Sequence, residues 1–303
     1  MRSQRDLAAL LGCASDEVEQ ARSLLSSEEL FQRCLPGVDE LLLDDGLSPD
    51  RCQPLEWHAR FVPVRRLVRL EQVAEQIFEG GPFAVFRERY VSYLESTPAA
   101  GFKSIAAYRT GLAIGEGEQA EAAYRSWTGG RLALKPLNDH LVRLGLEVAA
   151  RRGLPVQFHT GFGDPDLDLA TSNPLALRPL IERFSSTKLV LLHASYPFAR
   201  EAGFLASVYP NVYLDFGLAV PFLSVRGMVE AVAMLLELGP LSKLTWSSDA
   251  SRISELFYLG ALWGRRVLGQ VLGQAVTDGD LSARQAEQAA RQILQGNAAA
   301  LYS

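Results

Sequence analysis

The segment VQFHTG (residues 156–161) joins a short apolar, strand-forming run to a histidine and a glycine. The same arrangement recurs in VLLHAS (residues 190–195) and in LTWSSD (residues 244–249), where the run leads to a histidine and to an aspartate. A stretch with helical periodicity follows each segment. Repeated strand-then-helix units with polar side chains at the strand ends are typical of a (β/α) barrel, whose active site lies at the carboxyl ends of its strands. We therefore expect the three strand ends to meet in one cleft.

The composition is that of one large globular domain. The 303 residues are 48% apolar and 21% charged, with a formal charge of −5, and a barrel typically needs about 250 residues. The basic residues are scattered, which argues against nucleic-acid binding. Three cysteines without a CxxC pair argue against a disulfide framework and a cysteine zinc site. With neither a signal-peptide core nor a membrane-spanning apolar run, we expect a cytoplasmic protein.

Predicted strands and helices alternate along the chain. Apolar alternating runs predict strands at 40–46, 60–70, 101–108, 155–159, 188–193, 211–216 and 243–248. Helical periodicity predicts helices at 71–98, 117–127, 135–152, 223–238, 254–275 and 282–301. The residues Gly80-Gly81-Pro82 should interrupt the first helix, and Ser26 and Glu29 have the spacing of a capping box. We predict a helical segment at 1–35 and a barrel domain at 36–303.

A closed barrel of this type has eight strands, one more than the sequence predicts. The missing strand falls at the amino end, where only helix precedes the first predicted strand. The predicted fold is therefore α/β, a TIM-like (β/α)8 barrel that lacks its first strand and carries extra N-terminal helices. Such a barrel exposes two sheet edges, which favours aggregation or pairing. The apolar helices at 223–238 and 254–275 permit a homo-oligomer, although packing against the barrel explains them equally well.

Three longer stretches resemble the amidohydrolase-related barrels. They are QFHTGFGDPDLDLATSNPLAL (157–177), LVLLHASYPFAREAGFLASVYPNVYLDFG (189–217) and LTWSSDA (244–250). More narrowly, roughly residues 35–303 resemble the group that is fused to glutamine synthetase in some plant and fungal proteins and is free-standing in bacteria. The resemblance implies a barrel of the metal-dependent hydrolase superfamily, in which the fifth and sixth strands end on metal-binding histidines and the eighth on an aspartate.

The resemblance also implies a His-x-His pair on the first strand, and the sequence contains no such pair. Its other histidines, His58 and His140, lie in polar or helical surroundings and are expected to be structural. The strand that should carry the pair is the same strand that is missing from the predicted set. We therefore expect the chain to start after that strand, through a misassigned start, a truncation or a natural loss of the metal clamp.

The resemblance assigns His159, His193 and Asp249 to a metal site. Neutral imidazoles suit zinc, manganese or iron, and zinc is the leading expectation. A hydrolytic site keeps one metal position open for a water whose pKa falls to about 7. Asp249 would accept a proton from that water as the catalytic residue and could also touch the metal. The alternatives are that both histidines are hydrogen-bonded core residues and that Asp249 caps the following helix.

Four further residues are predicted to bind substrate. Lys103 could be carboxylated and bridge two metals, as in binuclear members, or hold a substrate carboxylate, or form a structural salt bridge. Arg109 could serve the same anion pocket as Lys103. Gly161 permits close approach of the backbone to a ligand. Asp215 ends a predicted strand and faces the cleft or makes structural hydrogen bonds.

Three functions remain open from the sequence. The leading hypothesis is hydrolysis of a small amide or ester by metal-activated water. The second is a metal-assisted, non-oxidative decarboxylation, since related barrels perform that chemistry. The third is a degenerate, non-catalytic barrel used for assembly or for small-molecule binding, which the missing His-x-His pair supports.

Overall fold

The structure, a computed structural model, describes residues 2–47 and 49–303. Its centre is a parallel sheet in which each strand pairs with the next along the chain. The strands are β1 (Leu41–Asp44), β2 (Val64–Arg69), β3 (Gly101–Ser104), β4 (Val156–Phe158), β5 (Leu189–Leu191), β6 (Val212–Asp215) and β7 (Leu244–Thr245). Within the described residues no pairing joins β1 to β7, so the barrel is open along one seam. The predicted seven-stranded α/β barrel is confirmed.

Helices surround the sheet. They are α1 (Arg2–Leu11), α2 (Val18–Ser23), α3 (Ser27–Arg33), α4 (Leu55–Ala59), α5 (Leu70–Ile77), α6 (Phe83–Ser96), α7 (Ala106–Arg109), α8 (Ala120–Ser126), α9 (Lys135–Arg152), α10 (Arg178–Arg183), α11 (Ala199–Val208), α12 (Ala219–Phe222), α13 (Val225–Leu236), α14 (Glu255–Asp278), α15 (Ala283–Arg291) and α16 (Asn297–Leu301). Across residues 2–47 and 49–303, no helix is both long enough and apolar enough to cross a membrane.

Local signals in the sequence place several helix ends. Ser26 and Glu29 form the predicted capping box at the start of α3. The predicted break between α5 and α6 occurs at Gly80 and Gly81, whose φ angles of +75° and +85° no helix can continue. The predicted terminal helix is divided, because a π-helical turn separates α15 from α16. Asp249 does not cap a helix, since α14 begins at Glu255.

The N-terminal helices pack onto the barrel. Asp6 on α1 accepts a hydrogen bond of 2.7 Å from Nε1 of Trp263 on α14. Arg22 on α2 pairs with Glu255 at the start of α14. The helices before β1 thus contact α14. The division into a helical segment at 1–35 and a barrel domain at 36–303 stays a prediction.

Strand alternation sorts the side chains between the helices and the barrel interior. Along a strand, every second residue faces the same side of the sheet. Val68 of β2 packs against the helices, whereas its neighbour Leu67 packs inside the barrel against Leu301 and Tyr302 at the end of the chain. The hydroxyl of Tyr302 accepts a hydrogen bond of 2.7 Å from the Gln157 amide. The C-terminal residues therefore fill part of the barrel interior.

Candidate active site

The open seam and the carboxyl ends of the strands enclose a cavity of about 590 Å³. That volume suits a small-molecule ligand. Four of the residues singled out in the sequence line the cavity: Lys103, His193, Asp215 and Asp249. His193 and Asp249 thus face one cavity although 56 residues separate them along the chain, whereas His159 does not line it and adjoins it only through His193.

The two histidines lie against each other. His159 directly follows β4 and His193 lies just beyond β5, and their ring centroids are 4.4 Å apart. Burial lowers the pKa of both imidazoles well below the usual value; His193 and Lys103 add to the effect on His159, and Lys103 adds to that on His193. Both rings are therefore neutral at pH 7, which is the form that binds a metal.

The two imidazoles are suitable donors for a divalent ion, but among the described residues no further donor is grouped with them. Nδ1 of His193 is buried and has no hydrogen-bond partner among the described residues, as expected of an atom meant for a ligand. Nε2 of His159 lies 3.1 Å from the carbonyl oxygen of Phe162. Within residues 2–47 and 49–303, no three His, Cys, Asp or Glu side chains are grouped to hold an ion. Metal contact by Asp249 stays a prediction.

Backbone strain is concentrated at the turn that carries His193. His193, Ala194 and Ser195 have φ angles of +67°, +52° and +48°, a region that side chains other than glycine seldom adopt. The Thr160 hydroxyl fixes this turn, because it donates a hydrogen bond of 2.7 Å to Leu192 O and accepts one of 2.7 Å from Ser195 Oγ. Since Thr160 follows His159 directly, one turn orients the other. Strain of this kind clusters at functional sites.

A buried ion-pair trio lies beside the histidines. It consists of Asp44 at the end of β1, Arg69 at the end of β2 and Lys103 on β3. Arg69 donates to Asp44 through Nε, at 3.1 and 3.2 Å, and through Nη2. Lys103 Nζ lies 3.1 Å from the same carboxylate. Burial alone would raise the pKa of Asp44, but Lys103 and Arg69 lower it well below the usual range.

The geometry of Lys103 corresponds to the third role considered from the sequence, the salt bridge. In that role the Lys103 ammonium pairs with Asp44 at 3.1 Å, and carboxylation of Lys103 stays a prediction. Sequence reasoning missed Asp44 and Arg69 as site residues. The available signal was the inward alternation of Arg65, Leu67 and Arg69 along β2.

Two further carboxyl groups face the cavity. Burial raises the pKa of Asp249; Lys103 opposes that shift and Asp44 adds to it. Asp249 also has a φ of +48°, so its backbone is constrained. Asp215 accepts hydrogen bonds of 2.8 Å from Gly217 N and Ser247 Oγ. Burial raises the pKa of Asp215 to about 6, against those two hydrogen bonds. Asp215 thus makes structural hydrogen bonds and faces the cavity as well.

We expect replacement of Asp215 by Asn to change how stability depends on pH. The raised pKa means that the folded state holds the Asp215 proton more tightly than the unfolded chain does. Protonated Asp215 stabilises the folded state fully at a pH below about 4, the pKa of an aspartate in the unfolded chain. The stabilisation is lost as the pH rises through about 6, and the free energy of unfolding falls by about 3 kcal/mol. Between pH 4 and 7, Asp215→Asn should therefore gain stability relative to the wild type in urea denaturation. If the free energies of unfolding of the two proteins changed equally with pH, the raised pKa of Asp215 would be contradicted.

Arg109 and Gly161 do not line the cavity. Arg109 ends α7, and its Nη2 pairs at 3.0 Å with Glu75. The Gly161 Cα lies against the backbone of the His193 turn, since an added Cβ would be 2.3 Å from Tyr196 O. Substrate binding by either residue stays a prediction.

The comparisons with known proteins agree with this architecture. The family model described as amidohydrolase matches residues 116–303. Protein fluG of Emericella nidulans is 36% identical over 99% of this chain, which spans 40% of that protein. A proposed metal-dependent hydrolase from Lactobacillus casei ATCC 334 has a TM-score of 0.88 at 30% identity, covering 99% of this chain and 83% of that one.

A more distant structure shows the fold alone. The uronate isomerase from Thermotoga maritima has a TM-score of 0.70 at 17% identity, and the match covers 98% of this chain and 77% of that one. The shared barrel therefore supports different reactions in different chains. The reaction of this chain has to be argued from its own site.

Proposed function

Because the chain belongs to the amidohydrolase family, we propose that it is a metal-dependent hydrolase of a small amide or ester. The observation that carries the proposal is the contact between two buried, neutral imidazoles at the ends of β4 and β5, with His193 and Asp249 lining one cavity. A divalent ion, with zinc as the first candidate and manganese or iron as alternatives, would be held by His159 and His193.

The chain's own residues divide the remaining tasks. When bound, a divalent ion polarises the substrate carbonyl and makes water a nucleophile at neutral pH. The Asp249 carboxylate accepts the proton of the attacking water and passes it to the leaving nitrogen or oxygen. The Lys103 ammonium and the Arg69 guanidinium provide positive charge on the cavity wall.

Metal content tests the proposal directly. We expect elemental mass spectrometry of the purified 303-residue protein to find about one equivalent of zinc, manganese or iron. The double variant His159→Ala, His193→Ala should lose this metal, because it removes both imidazole donors. A His58→Ala, His140→Ala protein is the matched control and should keep the metal. No metal in the wild type would favour the third hypothesis, a non-catalytic barrel.

The released product separates hydrolysis from decarboxylation. With the metal-loaded protein, hydrolysis of a primary amide releases ammonia, whereas decarboxylation of an acid releases CO₂. We expect ammonia release from amides. If the protein released CO₂ from carboxylic acids and no ammonia from amides, the proposed hydrolysis would be refuted in favour of decarboxylation.

A further inference from the structure

We propose that the substrate carries a carboxylate, which binds between Arg69 and Lys103 in the cavity. The inference rests on the proposed function and specifies its substrate class: a small amide or ester with a free carboxylate elsewhere in the molecule. It follows from the charges of the ion-pair trio, from the unused donors of its two cations and from their place on the cavity wall.

The trio holds one more positive charge than negative charge. Among the described residues, every ion pair of Arg69 or Lys103 within 4.0 Å ends on Asp44. The exposed fractions of the Arg69 and Lys103 side chains are only 9% and 11%, so water compensates them poorly. Burying a charge without a partner is unfavourable. A second carboxylate would therefore be stabilised at this place.

The hydrogen bonds leave donors free for such a carboxylate. Asp44 is used by Nε and Nη2 of Arg69 and by Gly46 N at 3.0 Å. Across the described ranges, Nη1 of Arg69 makes no hydrogen bond, and Lys103 makes no side-chain hydrogen bond beyond its ion pair. Both cations line the cavity. Two charged donors on one wall are the usual means of binding a carboxylate.

Asp249 does not fill this place. It lies near the trio: burial raises the pKa of Asp249, Lys103 lowers it and Asp44 raises it further, and Asp249 in turn raises the pKa of Arg69. No ion pair within 4.0 Å joins Asp249 to a cation in residues 2–47 and 49–303. The Asp249 carboxylate therefore stays free for proton transfer, and the anion site beside it stays open to the substrate.

Succinamate and succinamide form the matched pair of probes. They share the amide, and succinamide replaces the carboxylate of succinamate by a second, neutral amide. We expect isothermal titration calorimetry to show that succinamate binds the wild type about thirtyfold more tightly than succinamide does. The titration is performed with chelator and repeated in the His159→Ala, His193→Ala protein. Binding of succinamate by the double variant would need neither the metal nor hydrolysis. The carboxylate site and the hydrolase activity can therefore be refuted independently.

Two variants should move the affinity for succinamate in opposite directions. Lys103→Met should weaken binding by about thirtyfold because one charged donor is lost. Asp44→Asn should strengthen binding because it removes the anion that competes for both cations. General damage to the fold would not produce opposite signs. Arg65→Met is the control, since Arg65 lines the same cavity but pairs with Glu40 at 2.6 Å, and its affinity should stay within about twofold.

Several outcomes would overturn the inference. Equal binding of succinamate and succinamide by the wild type would exclude a carboxylate site, and this comparison needs no variant to fold. Unchanged succinamate affinity in folded Lys103→Met would show that Lys103 does not bind the carboxylate. If Arg65→Met lost as much succinamate affinity as Lys103→Met, the affinity would depend on the net charge of the cavity and not on a local carboxylate site.

Discussion

Asp249→Asn is expected to lower the rate of amide or ester hydrolysis by about a thousandfold, with little change in substrate affinity. General-base catalysis contributes on the order of a hundredfold to ten-thousandfold, and an amide oxygen cannot take up the proton of the attacking water. The change removes a charge from a buried group whose pKa burial already raises, so the fold should tolerate it. Steady-state kinetics on the amides that the wild type hydrolyses provide kcat and KM separately.

Asp45→Asn is the matched control for Asp249→Asn. Asp45 directly follows β1, but it pairs with Arg66 at 2.9 Å and does not line the large cavity. Its kcat should equal that of the wild type. The proton-transfer role of Asp249 would be refuted if folded Asp249→Asn kept a kcat close to that of the control. A rise in KM alone would indicate a binding role.

Gly161→Ala is expected to lower the free energy of unfolding by about 4 kcal/mol. Its φ of +69° disfavours any side chain by about 1–2 kcal/mol. The added Cβ would also lie 2.3 Å from Tyr196 O and 2.4 Å from Ser195 C. Those are backbone atoms of the turn that carries His193, so they cannot move aside without displacing it. Overpacking of this kind costs about 1–3 kcal/mol more.

Gly153→Ala separates the two contributions. Gly153 has the same φ of +69°, but an added Cβ would meet no atom of the described residues within 4 Å. This control should lose only about 1–2 kcal/mol, which for a chain of 303 residues corresponds to a Tm lower by roughly 2–3 °C. Thermal unfolding by circular dichroism measures both variants. Equal Tm values would show that the turns carrying His159 and His193 are not interlocked through Gly161.

The order of strands and several helix ends could be predicted from the sequence, because they depend on local properties. Apolar alternation, glycine and proline breaks and capping residues act over a few neighbouring positions. The break between α5 and α6 and the capping box of α3 are such cases. The strand ends at His159, His193 and Asp249 were recognised because their motifs resemble those of a known family.

The pairing of charges could not be predicted in the same way. Arg65 and Arg69 lie on the same face of β2, and the register of β2 against β1 decides their different partners. Arg69 meets Asp44 at the carboxyl end of the barrel, whereas Arg65 meets Glu40 near its other end. Arg109 was expected beside Lys103, but α7 directs it to Glu75. Each of these contacts joins residues that are distant along the chain.

By itself, the sequence determined the α/β barrel, its seven strands and the polar groups at three strand ends, because hydrophobic periodicity and strand-end chemistry are written in short segments. The tertiary structure alone decided that the two imidazoles touch, that Asp44 holds Arg69 and Lys103, and that Gly161 lies against the His193 turn. The physical reason is that charges and sterically crowded backbones interact through space, over a few ångströms, whereas sequence patterns report only neighbours along the chain.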